Sequence, residues 1–200
     1  METAAEMQRL FVAIRVPDEL KAELYRVQSE LKDVLPAKLA TWTKPDSMHL
    51  TIRFLGNVKS GRVPELAERL RSQLTGFGSL DLICERLGCF PDLRFPRVVW
   101  AWVHDAGDGM ARLHWQVNEA VETFAEKPAE KRFEGHITLA RPKGINRPVA
   151  DRLARFVEAA VERRFGNWRC GAVELIRSEL LPQGSRYTTL AAFQLLDGQQ

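Results

Sequence analysis

Strand-like and helix-like apolar patterns alternate along this 200-residue chain, and the alternation runs through twice. The run LFVAIRV at 10–16 is followed by Leu20, Leu24, Val27, Leu31 and Val34, spaced as one face of a helix, and then by a strand at 48–55. Pro64, Leu66, Leu70 and Leu74 mark a second helix closed by Gly76, and SLDLICERL at 79–87 alternates as a strand. The order restarts with RVVWAWV at 97–103, a helical stripe from Met110 to Phe124, a strand at 133–140, a helix after Pro148 and strand-like sequence around 168–176. RYTTLAAFQLL closes the chain. Counterparts lie about 87 positions apart, although their residues hardly match, so element order repeats rather than sequence. Such a repeat fits two β-α-β-α-β lobes about a pseudo-twofold axis, with a site at their junction. The expectation is one bilobal domain over 1–200, with first-repeat elements at 10–87, second-repeat elements at 97–176 and a closing strand at 184–196.

Two of the strands carry the same polar intrusion. MHLTIRFLG (48–56) holds His49 and Thr51, and GHITLAR (135–141) holds His136 and Thr138, again 87 positions on. Strand residues alternate faces, so each histidine shares a face with its threonine, while Leu50, Ile52 and Phe54, or Ile137 and Leu139, take the other. Two imidazoles facing one another across a cleft suit acid–base chemistry, one taking a proton while the other gives one, with hydroxyls and an arginine holding anionic oxygens. Attack of water on a phosphodiester needs that set and no metal. Neither motif has a carboxylate at ligand spacing, so the pattern implies no metal and no cofactor. His104 and His114 read as structural. Arg152, Arg155, Arg163 and Arg164 read as the solvated face of a helix.

The net charge of +3, with both signs interspersed, tolerates an anionic partner without demanding one. Cys84, Cys89 and Cys170 have no C-x-x-C spacing and read as buried thiols. With no apolar run of bilayer length and no secretory pattern at the start, the expectation is a cytoplasmic monomer that meets no membrane.

LFVAIRVPDEL, HLTIRFLG, HITLAR and the terminal YTTLAAFQL together resemble the RNA 2′,3′-cyclic phosphodiesterase family, also called 2′–5′ RNA ligase, within the two-histidine phosphoesterase superfamily. The resemblance implies an α+β fold: two pseudo-symmetric antiparallel-sheet lobes, helices outside, and a central cleft. It implies opening of RNA 2′,3′-cyclic phosphate ends to 2′-phosphates without a metal, and 2′–5′ joining in reverse. By motif position His49 would donate the proton to O3′ and His136 would activate water. Thr51, Thr138 and Arg141 would bind the phosphate. Arg53, by strand parity, and Trp42 and Tyr187, as flat aromatic surfaces, are possible substrate contacts. Arg141 lies on the wrong parity for the cleft and must rely on the strand ending near Pro142. Gly135 stands where the family often has proline, which would loosen the backbone there. Two other classes fit the same residues: an RNA-end binding protein without turnover, and a cyclic phosphodiesterase acting on a small nucleotide.

Overall fold

The computed structural model describes residues 6–130, 132–182 and 184–196. Nine strands and four α-helices follow one another: β1 (Met7–Arg15), α1 (Asp18–Val34), β2 (Ala40–Trp42), β3 (His49–Lys59), α2 (Val63–Leu74), β4 (Leu80–Phe90), β5 (Val98–Asp105), α3 (Gly109–Val121), β6 (His136–Pro142), α4 (Arg147–Ala159), β7 (Arg164–Cys170), β8 (Ala172–Leu181) and β9 (Gly184–Gln194). Short 3-10 turns flank β2 and precede α2. The helices fall where the three-and-four spacing puts them, and their ends have local causes. Pro64 and Pro148 sit in the first turns of α2 and α4, where a missing N–H costs nothing. The Asn146 side chain accepts from Val149 N at 3.2 Å to cap α4. The strand-like sequence around 168–176 is two strands rather than one, divided at Gly171, and the three-residue β2 was not expected.

All ladders among the named strands are antiparallel, in the order β7-β4-β5-β6-β3-β1-β8-β9, with β2 alongside β6. The sheet therefore has two four-stranded halves, β3-β1-β8-β9 and β6-β5-β4-β7, and they meet at one residue pair, Leu50 opposite Ile137. Those residues are themselves 87 positions apart, so the pseudo-twofold axis passes between them. Two elements cross over. β4, from the first repeat, pairs with β5 and β7, whereas β8, from the second, pairs with β1. Helices cross too: α1 packs on β6 and β7, and α3 on β3. The outcome is an α+β molecule with two sheet lobes, helices on their outer faces and a cleft where β3 and β6 diverge.

One apolar core runs beneath both lobes, from Leu10, Val12 and Ile14 of β1 through Leu24 and Leu31 of α1 to Leu113 and Val117 of α3 and Leu153 of α4. A separate small cluster of Phe11, Ala13 and Ile176, with Tyr187 against it, lies on the cleft side of the first lobe. The three cysteines are buried thiols, with burial pushing Cys84 and Cys89 up to about 12 and Cys170 up to about 11. No helix among the described residues is long and apolar enough to cross a membrane.

Candidate active site

β3 and β6 bring the two motifs to one pocket. Thr43, Ser47, His49, Thr51, Phe54, His136, Thr138, Arg141 and Tyr187 line it. Its volume of about 110 Å³ lies well below the ~300 Å³ at which pockets begin to enclose a whole drug-sized ligand. A phosphate group fits inside, and whatever is attached to it must extend beyond.

The two histidines are held alike. His49 Nδ1 donates to the Ser47 carbonyl at 2.8 Å and His136 Nδ1 donates to the Glu134 carbonyl at 2.7 Å, in each case the residue two before the histidine. A carbonyl can only accept, so Nδ1 carries the hydrogen on both rings and Nε2 is left as the free nitrogen. Burial lowers the pKa of both. His49 falls to about 4, driven first by desolvation, opposed by the Ser47 bond and lowered further by His136 and Arg141. His136 is lowered by desolvation and by Arg141, while the Glu134 carbonyl and the carboxylates of Glu130 and Glu134 pull it back up. The rings are thus close enough to sense one another's charge, and with protein groups alone around them both are neutral near pH 7.

Strand parity alone does not give this arrangement. In the β1–β3 ladder Val12 faces Arg53 and Ala13 faces Thr51, so Ile52 is an extra residue. In the β5–β6 ladder Val99 faces Ala140 and Trp100 faces Thr138, so Leu139 is extra. These bulges sit at matching positions of the repeat and flip the parity beyond each threonine. Phe54, expected on the buried face, turns outward and is 54% exposed. Arg141, expected to point away, turns into the pocket. Arg53, a possible substrate contact by strand parity, is only 8% exposed; its guanidinium donates to the carbonyls of Lys127 and Pro128, and it lines a small cavity with Thr51, His114 and His136 rather than the phosphate-sized pocket. The Leu139 carbonyl freed by the second bulge accepts from Thr43 N at 3.0 Å and from Nε2 of the buried Gln28 at 2.7 Å.

Of the two aromatic residues, Tyr187 is in the pocket, edge-on to His49 with ring centroids 5.2 Å apart. Trp42 is not. Its indole N–H donates to the Ala37 carbonyl at 3.2 Å, and Lys32 Nζ stands 5.3 Å from its ring. His104 stacks on Trp102, away from the phosphate-sized pocket, and His114 stacks on Phe133 in a small adjoining cavity that Thr51 and His136 also line. Arg163 is not simply solvated: it lies beyond α4 and makes a two-pronged bond to Glu30 of α1. Thr43, Ser47 and Phe54 join the pocket without having been expected there. Phe54 was hidden by the bulge, and Thr43 and Ser47 carry no local signal.

The histidines resemble one another more than their flanks do. Beside His49, the Phe11 ring at 4.7 Å and Tyr187 fill the space. Beside His136, Phe90, Trp100, Trp102 and Phe133 line an open groove of about 490 Å³. Gly88 permits that groove, since a Cβ there would meet the Trp100 ring at 2.1 Å.

Comparison with known proteins gives the family and the fold. One family model, the LigT-like phosphoesterase, matches twice, over residues 14–100 and again over 102–187, so each match contains one His-x-Thr. The chain is 32% identical over 186 residues to an RNA 2′,3′-cyclic phosphodiesterase of Archaeoglobus fulgidus, covering 93% of this chain and 99% of that one. It is 31% identical to a protein of the same name from Thermus thermophilus, covering 94% and 90%. Among solved structures, one from Thermus thermophilus superposes with a TM-score of 0.77 at 28% identity, covering 96% of this chain and all of that one. Escherichia coli LigT in complex with 3′-AMP shares the fold with a TM-score of 0.74 at 23% identity, covering 95% and 99%.

Proposed function

Because the chain belongs to the LigT-like phosphoesterase family, we propose that it hydrolyses RNA 2′,3′-cyclic phosphate ends to 2′-phosphates by acid–base catalysis between His49 and His136, with no metal. One observation carries this: two matched His-x-Thr strands deliver two Nδ1-anchored imidazoles and two hydroxyls to a pocket of phosphate size. Water adds to phosphorus, P–O3′ breaks, one Nε2 accepts the water proton, and the other gives a proton to O3′. Thr51 and Thr138 hydroxyls donate to the non-bridging oxygens, and Arg141 offsets their charge through the transition state.

By motif position His49 is the donor and His136 the acceptor. Among the protein groups, the carboxylates of Glu130 and Glu134 favour a proton on His136, whereas those acting on His49 other than the Ser47 carbonyl all disfavour one. His49 therefore acquires its proton with the substrate, whose negative phosphate supplies the stabilisation the protein groups do not. With the 5′-hydroxyl of a second RNA in the water's place, the same steps would join its O5′ to phosphorus as P–O3′ breaks, leaving a 2′–5′ linkage.

The test is hydrolysis of an oligoribonucleotide ending in 2′,3′-cyclic phosphate, in EDTA, with the product's phosphate position read by NMR. A 2′-phosphate is expected, and His49→Ala and His136→Ala should each lose about 10²–10⁴ in rate. Intact substrate, or full activity in both variants, rules the proposal out. Tight binding with intact substrate would identify an RNA-end binding protein.

A further inference from the structure

A pocket that holds little more than a phosphate leaves the rest of the RNA on the surface. Two grooves and a small cavity share lining residues with that pocket, and a third groove lies further along β6. The one beside Phe54 sets Arg9, Arg53 and Lys127 beside Glu126 and Glu130, with the Arg53 guanidinium bonded to the Lys127 and Pro128 carbonyls. The aromatic one beside His136 has Arg86 paired with Glu85 and Arg132 with Glu134. The third lies between the segments 94–97 and 142–150, with a volume of about 480 Å³. Arg94, Phe95, Arg97 and Arg147 line it, and Arg147 alone is paired, with Asp151 at 2.7 Å. Among the described residues Arg94 and Arg97 have no side-chain partner. Between them Phe95 is 67% exposed, an aromatic ring left in water with charge on both sides.

That segment is held in place. The Asp92 carboxylate accepts from Arg94 N at 2.8 Å and Phe95 N at 2.9 Å, and Arg97 N donates to the Phe90 carbonyl at 2.7 Å. Along the chain it connects to the site at both ends. The Phe90 ring stands 5.0 Å from that of His136, and Pro142, on the groove wall, directly follows Arg141.

We propose that this groove binds the single-stranded RNA on the 5′ side of the cyclic phosphate, with Phe95 stacking on a base and Arg94 and Arg97 meeting backbone phosphates. This rests on the RNA-end reading above. A flat apolar surface flanked by uncompensated cations is what single-stranded nucleic acid needs, since every base has a π-face and every linkage a charge. A small nucleotide would not reach it.

The experiment compares kcat/KM for a short oligoribonucleotide 2′,3′-cyclic phosphate with that for a nucleoside 2′,3′-cyclic phosphate, and measures anisotropy of a labelled oligomer ending in 2′-phosphate. Wild type should prefer the oligomer. Phe95→Ala should lose at least about fivefold in oligomer kcat/KM and affinity, the low end for one stacked base. Arg94→Gln with Arg97→Gln should also weaken the oligomer and reduce the slope of log affinity against log salt by about 1.4, two contacts at ~0.7 each. Unchanged nucleoside turnover shows that the variants remain folded. Oligomer values and salt slope that stay at wild-type level, a wild type without oligomer preference, or an equal loss on the nucleoside substrate would overturn the groove assignment. If wild type turns over neither substrate, the hydrolase reading fails by itself, and the anisotropy arm still decides whether the groove binds RNA.

Discussion

Single residues set how firmly the two imidazoles are aimed, and Gly135 shows it. Rather than loosening the backbone, it is buried in close contact: its carbonyl accepts from Val103 N at 2.8 Å, and a Cβ would meet the Val103 oxygen at 2.4 Å and Met110 Cε at 2.5 Å. A flexible methionine end can move aside, but a ladder carbonyl cannot. Gly135→Ala should therefore displace the start of β6, with His136 on it. We expect about 1–3 kcal/mol of lost stability and at least a tenfold loss of kcat, of order 1.4 kcal/mol in the barrier. Gly61→Ala, where a Cβ meets nothing within 4 Å, is the control. Thermal unfolding and steady-state rates on both variants check this, and a Gly135→Ala enzyme with wild-type stability would mean that the strand yields freely. His49 makes a second prediction at this scale. Its pKa is about 4 folded and near 6.5 unfolded, so between those values the unfolded chain binds the extra proton. Stability from the neutral, buried ring is fully present above pH 6.5 and is lost as pH falls to about 4. The upper bound is about 3 kcal/mol at 1.36 kcal/mol per unit. Chemical denaturation of wild type and His49→Gln across that range should show the variant falling less steeply, and parallel curves would show that His49 is better solvated than its surroundings indicate.

At the scale of elements, the helices and most strands were legible because burial imposes a period, and a period survives in one sequence. Leu20, Leu24, Val27 and Leu31 announce α1 since each must reach the same core. The H-x-T strands were legible for the opposite reason, as polar side chains that an apolar strand does not explain. The bulges at Ile52 and Leu139 were not. They add one residue with no change of composition, and every assignment beyond them inherited the wrong parity: Arg53, Phe54 and Arg141 alike. Their support is also remote in sequence. Gln28, 1% exposed on α1, donates to the carbonyls of Leu139 at 2.7 Å and Thr43 at 2.8 Å, across 111 positions in the first case. A glutamine on the apolar face of a helix reads as an irregularity, yet here it saturates the bulge that turns Arg141 toward the phosphate. Gln28→Met keeps the volume and removes both bonds. It should cost about 1–3 kcal/mol for the carbonyl groups left short of a donor, and raise KM more than it lowers kcat, since Arg141 and Thr138 lose register while the His136 anchor on Glu134 persists. A change confined to stability, with KM intact, would show that the bulge holds without Gln28.

For the whole molecule, the repeat in sequence and the division in space are different partitions, and the difference has a mechanical consequence. Each half of the sheet borrows from the other repeat: β4 has its ladders with β5 and β7, β8 pairs with β1, and α1 covers β6 and β7. Between the two halves the named strands share the single pair Leu50–Ile137, and Leu196 beyond β9 adds two backbone bonds to Phe77 and Ser79 ahead of β4, too little hydrogen bonding to hold a cleft open at fixed width. Crossed helices and the shared core beneath do that instead, with the Arg163–Glu30 pair tying the end of the second repeat to α1. The active site needs this arrangement, since one histidine comes from each repeat and the distance between them is set by packing on the far side of the sheet. A fragment spanning residues 1–94 would contain a complete β-α-β-α-β order but would leave α1 without β6 and β7 and β4 without a neighbouring strand. It should show no cooperative thermal transition and few dispersed amide resonances, whereas the full chain should unfold in one step by near- and far-ultraviolet circular dichroism alike. If the fragment folds on its own, each repeat is an independent lobe, and the geometry of the histidine pair must then be set at the narrow Leu50–Ile137 junction after all.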